Sequence, residues 1–169
     1  IFGGGIEHIE KEEYDIYGVS FTDSYVRQSF LEGFEVKNRD KLNIMLMHGD
    51  FTSGEYNLIT KTQLENSGID YMALGHIHKR SNVAKIGNTY TAYCGSPEGH
   101  GFDELGVKGA YVGEVSKAGV DLSFVKFSKR IYCVEEIDIS SAFSAQSAAE
   151  IIINKLRGSY GESFRDNLY

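Results

Sequence analysis

Two stretches decide how this chain folds: Leu42-Asn43-Ile44-Met45-Leu46-Met47-His48-Gly49 and Tyr71-Met72-Ala73-Leu74-Gly75-His76-Ile77-His78. The first is a short, almost continuous apolar run, the pattern of a strand buried on both faces in a helix-covered sheet. The second opens with a shorter run of the same kind and stops at a glycine. Apolar runs of this length separated by a helical segment predict an α/β fold. Both end in histidine. In open α/β sheets ligands gather beyond the carboxyl ends of the strands, and adjacent strands lie about 4.8 Å apart. His48 and His76 are therefore expected to meet. In extended backbone, residues two apart face the same way, so His76 and His78 are expected to project together with Ile77 packed behind.

Neutral imidazole is a favoured ligand for zinc, manganese and iron, and Gly49 and Gly75 leave room for backbone to approach an ion or anion. The plainer explanation is that a histidine at a strand end is an ordinary half-exposed polar residue. One His-x-His pair argues only modestly for metal; a third histidine after a comparable strand tips the balance towards it. Three histidines supply no anionic bridge, however, and a two-metal hydrolytic centre holds its ions about 3.5–4 Å apart. Asp50 is the nearest carboxylate, although in Gly49-Asp50-Phe51 a turn role suits it better.

Outward from these stretches, residues 16–21 have strand composition and Thr22 or Asp23 is placed to cap a helix over 25–32. Thr60 opens a short helix through Asn66, stopped at Ser67-Gly68. Residues 83–86 and 89–94 read as a hairpin about Gly87-Asn88, and 110–115 with 120–127 as another. The intervening 95–109 is a glycine-rich loop holding Pro97, the single proline. Residues 131–139 alternate like a strand with one wet face. Residues 141–156 have helical spacing behind Ser140 or Ser141, and 158–169 is a polar tail without a core pattern. A composition break near Lys129-Arg130 divides the chain into 1–129 and 130–169.

The 169 residues include 17 Lys and Arg against 24 Asp and Glu, a net charge of −7. No global positive field draws in nucleic acid, so phosphate chemistry would need bound cations or local basic patches. Cys94 and Cys133 form no CxxC pair, which argues against a disulfide framework or a cysteine zinc site and makes a reducing, cytoplasmic setting the default. No apolar run reaches the roughly 18 residues of a membrane span. The chain opens on Ile1-Phe2 rather than methionine and reads as a piece of something longer.

The strand-His48-Gly49 segment followed by Asp70-Tyr71-Met72-Ala73-Leu74-Gly75-His76-Ile77-His78-Lys79 resembles the last two metal motifs of calcineurin-like metallophosphoesterases, most closely the SbcD-type DNA repair exonucleases. Tyr93-Cys94-Gly95-Ser96-Pro97-Glu98 and residues 101–109 resemble that branch's following segment, and the resemblance covers about residues 15–139. It implies part of a four-layer αββα sandwich with two divalent ions, typically manganese and otherwise iron or zinc. His48 and His76 would ligate one ion and His78 the other. It implies a hydrolase cleaving DNA with an SbcC-like ATPase, a homodimer in the full-length protein, and a small capping domain starting after residue 129. The branch's Asp-x-His, Gly-Asp and Gly-Asn-His-Asp motifs are absent, among them the bridging aspartate and the residue that protonates the leaving group, so this chain alone is expected to be nearly inactive. Cys94 stands where the branch commonly has proline.

Lys79 and Arg80, directly after the His-x-His, and His100 in the glycine-rich loop are candidate substrate contacts, although an ordinary solvated role suits each better. Lys126, Lys129 and Arg130 form a second small basic group with the same ambiguity. Gly3-Gly4-Gly5 lacks the Gly-Lys-Ser/Thr of a phosphate loop, and Gly95-Ser96 is no nucleophile elbow. Cys94 with His100 has no supporting spacing for thiol catalysis, and His8 lies in an acidic stretch expected to be exposed. Two further functions stay open: a phosphoesterase acting on nucleotides or phosphoproteins, and a non-catalytic interaction module that keeps the fold.

Overall fold

The structure is a computed structural model describing residues 1–52 and 54–169. It comprises two compact units, one of residues 1–96 and 109–125, the other of 97–108 and 126–169. The first is built on a six-stranded sheet with order β1-β2-β3-β4-β6-β5. β2 (Tyr14–Gly18), β3 (Leu42–His48), β4 (Tyr71–Gly75) and β6 (Thr89–Tyr93) run parallel, flanked by antiparallel β1 (Glu7–Glu10) and β5 (Ala84–Ile86).

Register sorts the side chains into rows. His8, Tyr17, Met45, Met72 and Thr91 lie across one face, and Ile9, Ile16, Ile44, Tyr71 and Tyr90 across the other. The first face carries the core: Tyr17, Met45, Met47, Met72, Leu74 and Tyr93 pack with Leu31, Val36, Ile59, Leu64 and Ile69. Leu64 and Ile69 bracket the end of α1 (Lys61–Ser67). Its Thr60–Gln63 capping box satisfies the first orphan amides, and Gly68 ends it at φ 80°, a conformation glycine adopts without penalty. Thr89 Oγ1 donates to the Ile69 carbonyl at 2.7 Å, fastening the helix exit to β6.

The second face is more open than the apolar run predicts. Leu46 is 43% exposed and Ile9 44%. The hairpin β7 (Gly109–Ser116) and β8 (Gly119–Lys126) is joined to the β4–β6 side: Tyr111 Oη donates to the Ser81 carbonyl and the Arg80 guanidinium lies 4.1 Å over the Phe124 ring. β3 is thus covered on one face rather than two.

Other expectations change as well. Residues 25–32 form no helix. Val26 makes a parallel bridge to Tyr56, and the Phe30 and Leu31 amides donate to the side chains of Asn57 and Ser29, so side-chain acceptors replace the helical ladder. The acidic stretch is strand β1, and His8 is half-buried, stacked on Tyr17 at 4.7 Å.

In the second unit, residues 131–139 form no strand. Tyr132 makes only an isolated bridge to Leu168, and a strand needs a ladder partner along its length. α2 (Ala145–Tyr160) starts at Ser144, whose hydroxyl accepts the Ser147 amide at 3.1 Å, while Phe143 stands 92% exposed. The tail is structured after all: a 3-10 turn over Gly161–Asp166 buries Phe164, and the Cys133 amide donates to the Leu168 carbonyl. Both cysteines are free thiols. No helix among the described residues is long and apolar enough to cross a membrane.

Candidate metal centre

Parallel pairing of β3 with β4 sets His48 opposite Gly75, so His76 stands one residue beyond the strand end. Strand geometry stops there. His76 has φ 105°, a region that L-residues with a side chain enter at a cost of about 1–3 kcal/mol and that clusters at functional sites. The chain leaves strand geometry at this bend and the His76 ring comes against His48, with His48 Nε2 and His76 Nδ1 facing each other at 3.1 Å.

The surroundings hold that approach in place. Asn57, fully buried at φ 53°, donates its amide to the His48 carbonyl at 2.8 Å. Tyr93 Oη donates to the Gly49 carbonyl at the same distance, and burial, with Asp50 nearby, pushes the Tyr93 phenol up to about 12. A Cβ at Gly49 would stand 2.8 Å from Asn57 Nδ2 and 2.9 Å from the Asn57 carbonyl oxygen, so only glycine lets the loop close. Phe21 meets the His48 ring edge-on at 4.8 Å and Tyr56 lies tilted against His76 at 4.7 Å. Burial holds His48 below the usual imidazole range, helped by the charges of His76 and His78.

Two ring nitrogens facing each other need either one N–H between them or one cation that both can ligate. Imidazole nitrogens bind divalent ions at about 2.1 Å, and two such ligands subtending nearly a right angle stand about 3 Å apart. The observed separation fits. Among the described residues no group of three His, Cys, Asp or Glu side chains is placed to hold an ion. The 3.1 Å separation suits a shared N–H and a shared cation alike.

Asp50 keeps its turn role. Its carboxylate accepts the Thr52 amide and hydroxyl at 3.0 and 2.9 Å and lies 3.9 Å from His76 Nε2. Burial acts against ionisation of its carboxyl, but the Thr52 bonds and His76 outweigh that and hold it below the ordinary carboxylate range. His78 is exposed, with its carbonyl accepting the Ser96 amide. Lys79 and Arg80 are exposed. His100 belongs to the second unit, where its amide donates to Glu104 at 3.1 Å. Sequence reading missed Phe21, Tyr56 and Asn57; the one available signal was asparagine's tolerance of left-handed backbone at position 57.

No protein-family profile matches the chain. Over 149 residues, 84% of its length, it is 26% identical to the uncharacterized metallophosphoesterase YhaO of Bacillus subtilis (strain 168). The chain spans 36% of that protein's length. Metallophosphoesterases use divalent metals, and the mixed α/β sheet with histidines at its carboxyl end is consistent with a piece of one. The chain is thus a distant relative of a metallophosphoesterase.

Proposed function

We propose that this chain is the histidine-bearing part of a metal-dependent phosphodiesterase, a DNA exonuclease of the SbcD type acting in DNA repair with an SbcC-like ATPase. The observation that carries the reading is the 3.1 Å approach of His48 Nε2 to His76 Nδ1 at two adjoining strand ends. His48 and His76 hold one ion, preferentially manganese, and His78 a second. When bound, such ions would supply Lewis-acid stabilisation of a phosphoryl oxygen and make a bound water more acidic. The chain's own contribution is to fix the donors: Asn57 and Tyr93 anchor the His48-Gly49 backbone, and Phe21 and Tyr56 wall the two rings.

A manganese titration read by electron paramagnetic resonance tests this. Wild-type chain is expected to bind manganese, and His48→Ala and His76→Ala to lose it; wild-type chain that binds none overturns the reading. Phosphodiester hydrolysis by this chain alone is expected to be close to zero, since among the described residues no group of three His, Cys, Asp or Glu side chains is placed to hold an ion. That no such group occurs among the described residues also favours a second reading, a non-catalytic interaction module, which a negative titration would put first.

A further inference from the structure

The rings about the histidine pair do not end at Tyr56. Tyr25 lies tilted against Tyr56 at 5.7 Å, so Phe21, His48, His76, Tyr56 and Tyr25 form one unbroken run of aromatic contacts. The bases of the two tyrosines are tied by backbone: the Val26 amide donates to the Glu55 carbonyl at 3.0 Å, and the Asn57 amide to the Val26 carbonyl. Tyr25 is 56% exposed although one side meets Tyr56, so much of its ring faces solvent. That ring lines a cleft of about 440 Å³ with Thr22, Arg27, Gln28 and Ser29, and the carboxylates of Asp23 and Glu32 also border it.

The chemistry of this cleft is specific. An exposed aromatic face accepts a flat π-system, and base–aromatic stacking tolerates any base. Arg27 is exposed and in no ion pair among the described residues, which suits it to a phosphate oxygen in a protein of net charge −7. Gln28 donates to Glu32 at 3.2 Å and presents its carbonyl oxygen as an acceptor for a base edge. A peptide or a bare sugar phosphate would use the cation and leave the ring idle.

We propose that the Tyr25–Arg27–Gln28 cleft seats a nucleobase of a nucleotidyl substrate, with Tyr25 stacking on the base and Arg27 pairing with a flanking phosphate. Tyr25 is a specificity-determining residue, two rings removed from His76. The proposal rests on the phosphoesterase reading for where the substrate's reacting phosphate lies. Base binding itself requires no metal.

The test is a nuclear magnetic resonance titration of the metal-free chain with dAMP, 2-deoxyribose 5-phosphate and inorganic phosphate, following the amides of residues 22–30. dAMP is expected to bind about tenfold more tightly than 2-deoxyribose 5-phosphate. Tyr25→Ala should abolish that difference and Tyr25→Phe should preserve it. Arg27→Gln should weaken both sugar phosphates alike. Equal affinity for dAMP and 2-deoxyribose 5-phosphate overturns the proposal, as does a Tyr25→Ala chain that still prefers dAMP. The manganese titration separates the two readings. A base preference without metal binding sinks the phosphoesterase reading alone, and metal binding without a base preference sinks the cleft alone.

Discussion

The two ends of the β3–β4 pair are built on opposite plans. At the amino end, the Asp70 carboxylate accepts Lys117 Nζ on both oxygens, at 3.0 and 3.1 Å, and the Asn43 amide at 2.8 Å. Lys117 also donates to the Arg39 carbonyl at 2.7 Å. Each charged group there has its complement within the protein. At the carboxyl end, two ring nitrogens are turned on each other across 3.1 Å, and the backbone enters a strained conformation to bring them there. One end is closed by charged groups that pair with each other; the other holds two imidazoles together on strained backbone. Such division between scaffold and site is expected where a sheet serves chemistry.

Exchanging the roles of the two ends should fail, and that can be measured. The largest expected effect is at the histidine end: His76→Ala should weaken manganese binding on the order of a hundredfold, at or beyond the upper range for losing a mere supporting group. Its urea midpoint should not fall, because no scaffold bond is lost. Equal losses of metal and stability would break the contrast. Asp70→Ala should do the reverse. With Asn43 fully buried, its orphaned amide costs about 1–3 kcal/mol in urea unfolding, while manganese affinity stays at the wild-type value. His76→Gly should raise stability by about 1 kcal/mol by releasing the positive φ; a loss would show that the bend carries no strain. Smallest is Lys117→Met, about 0.5 kcal/mol destabilising, since the lysine is 44% exposed.

What could be read from the chain follows the range of the forces involved. The runs at 42–47 and 71–74 were legible as strands from their length and apolar content, although β3 is covered on one face only, and the histidines' meeting followed from where those runs stop. Residues 25–32 misled because the acceptor that defeats the helix, Asn57 Oδ1, comes from far along the chain and leaves no local mark. The positive φ at His76 is a single dihedral angle that side-chain periodicity cannot see. Residue 25 falls in the stretch read as a helix, and the Val26–Tyr56 bridge that brings Tyr25 beside Tyr56 joins residues far apart in the chain. The tail hid its order for a similar reason, since Leu168 pairs with Tyr132 rather than with anything near it.

The row Ile9, Ile16, Ile44 with the exposed Leu46 beside it has a practical consequence for handling this chain. Apolar side chains on a flat, partly wet sheet make its solubility a function of the Hofmeister series. Sulfate and phosphate, excluded from protein surfaces, strengthen burial of that row between molecules at concentrations where chloride leaves them dispersed. Purification and crystallisation of this chain should therefore be governed by the choice of anion more than by temperature.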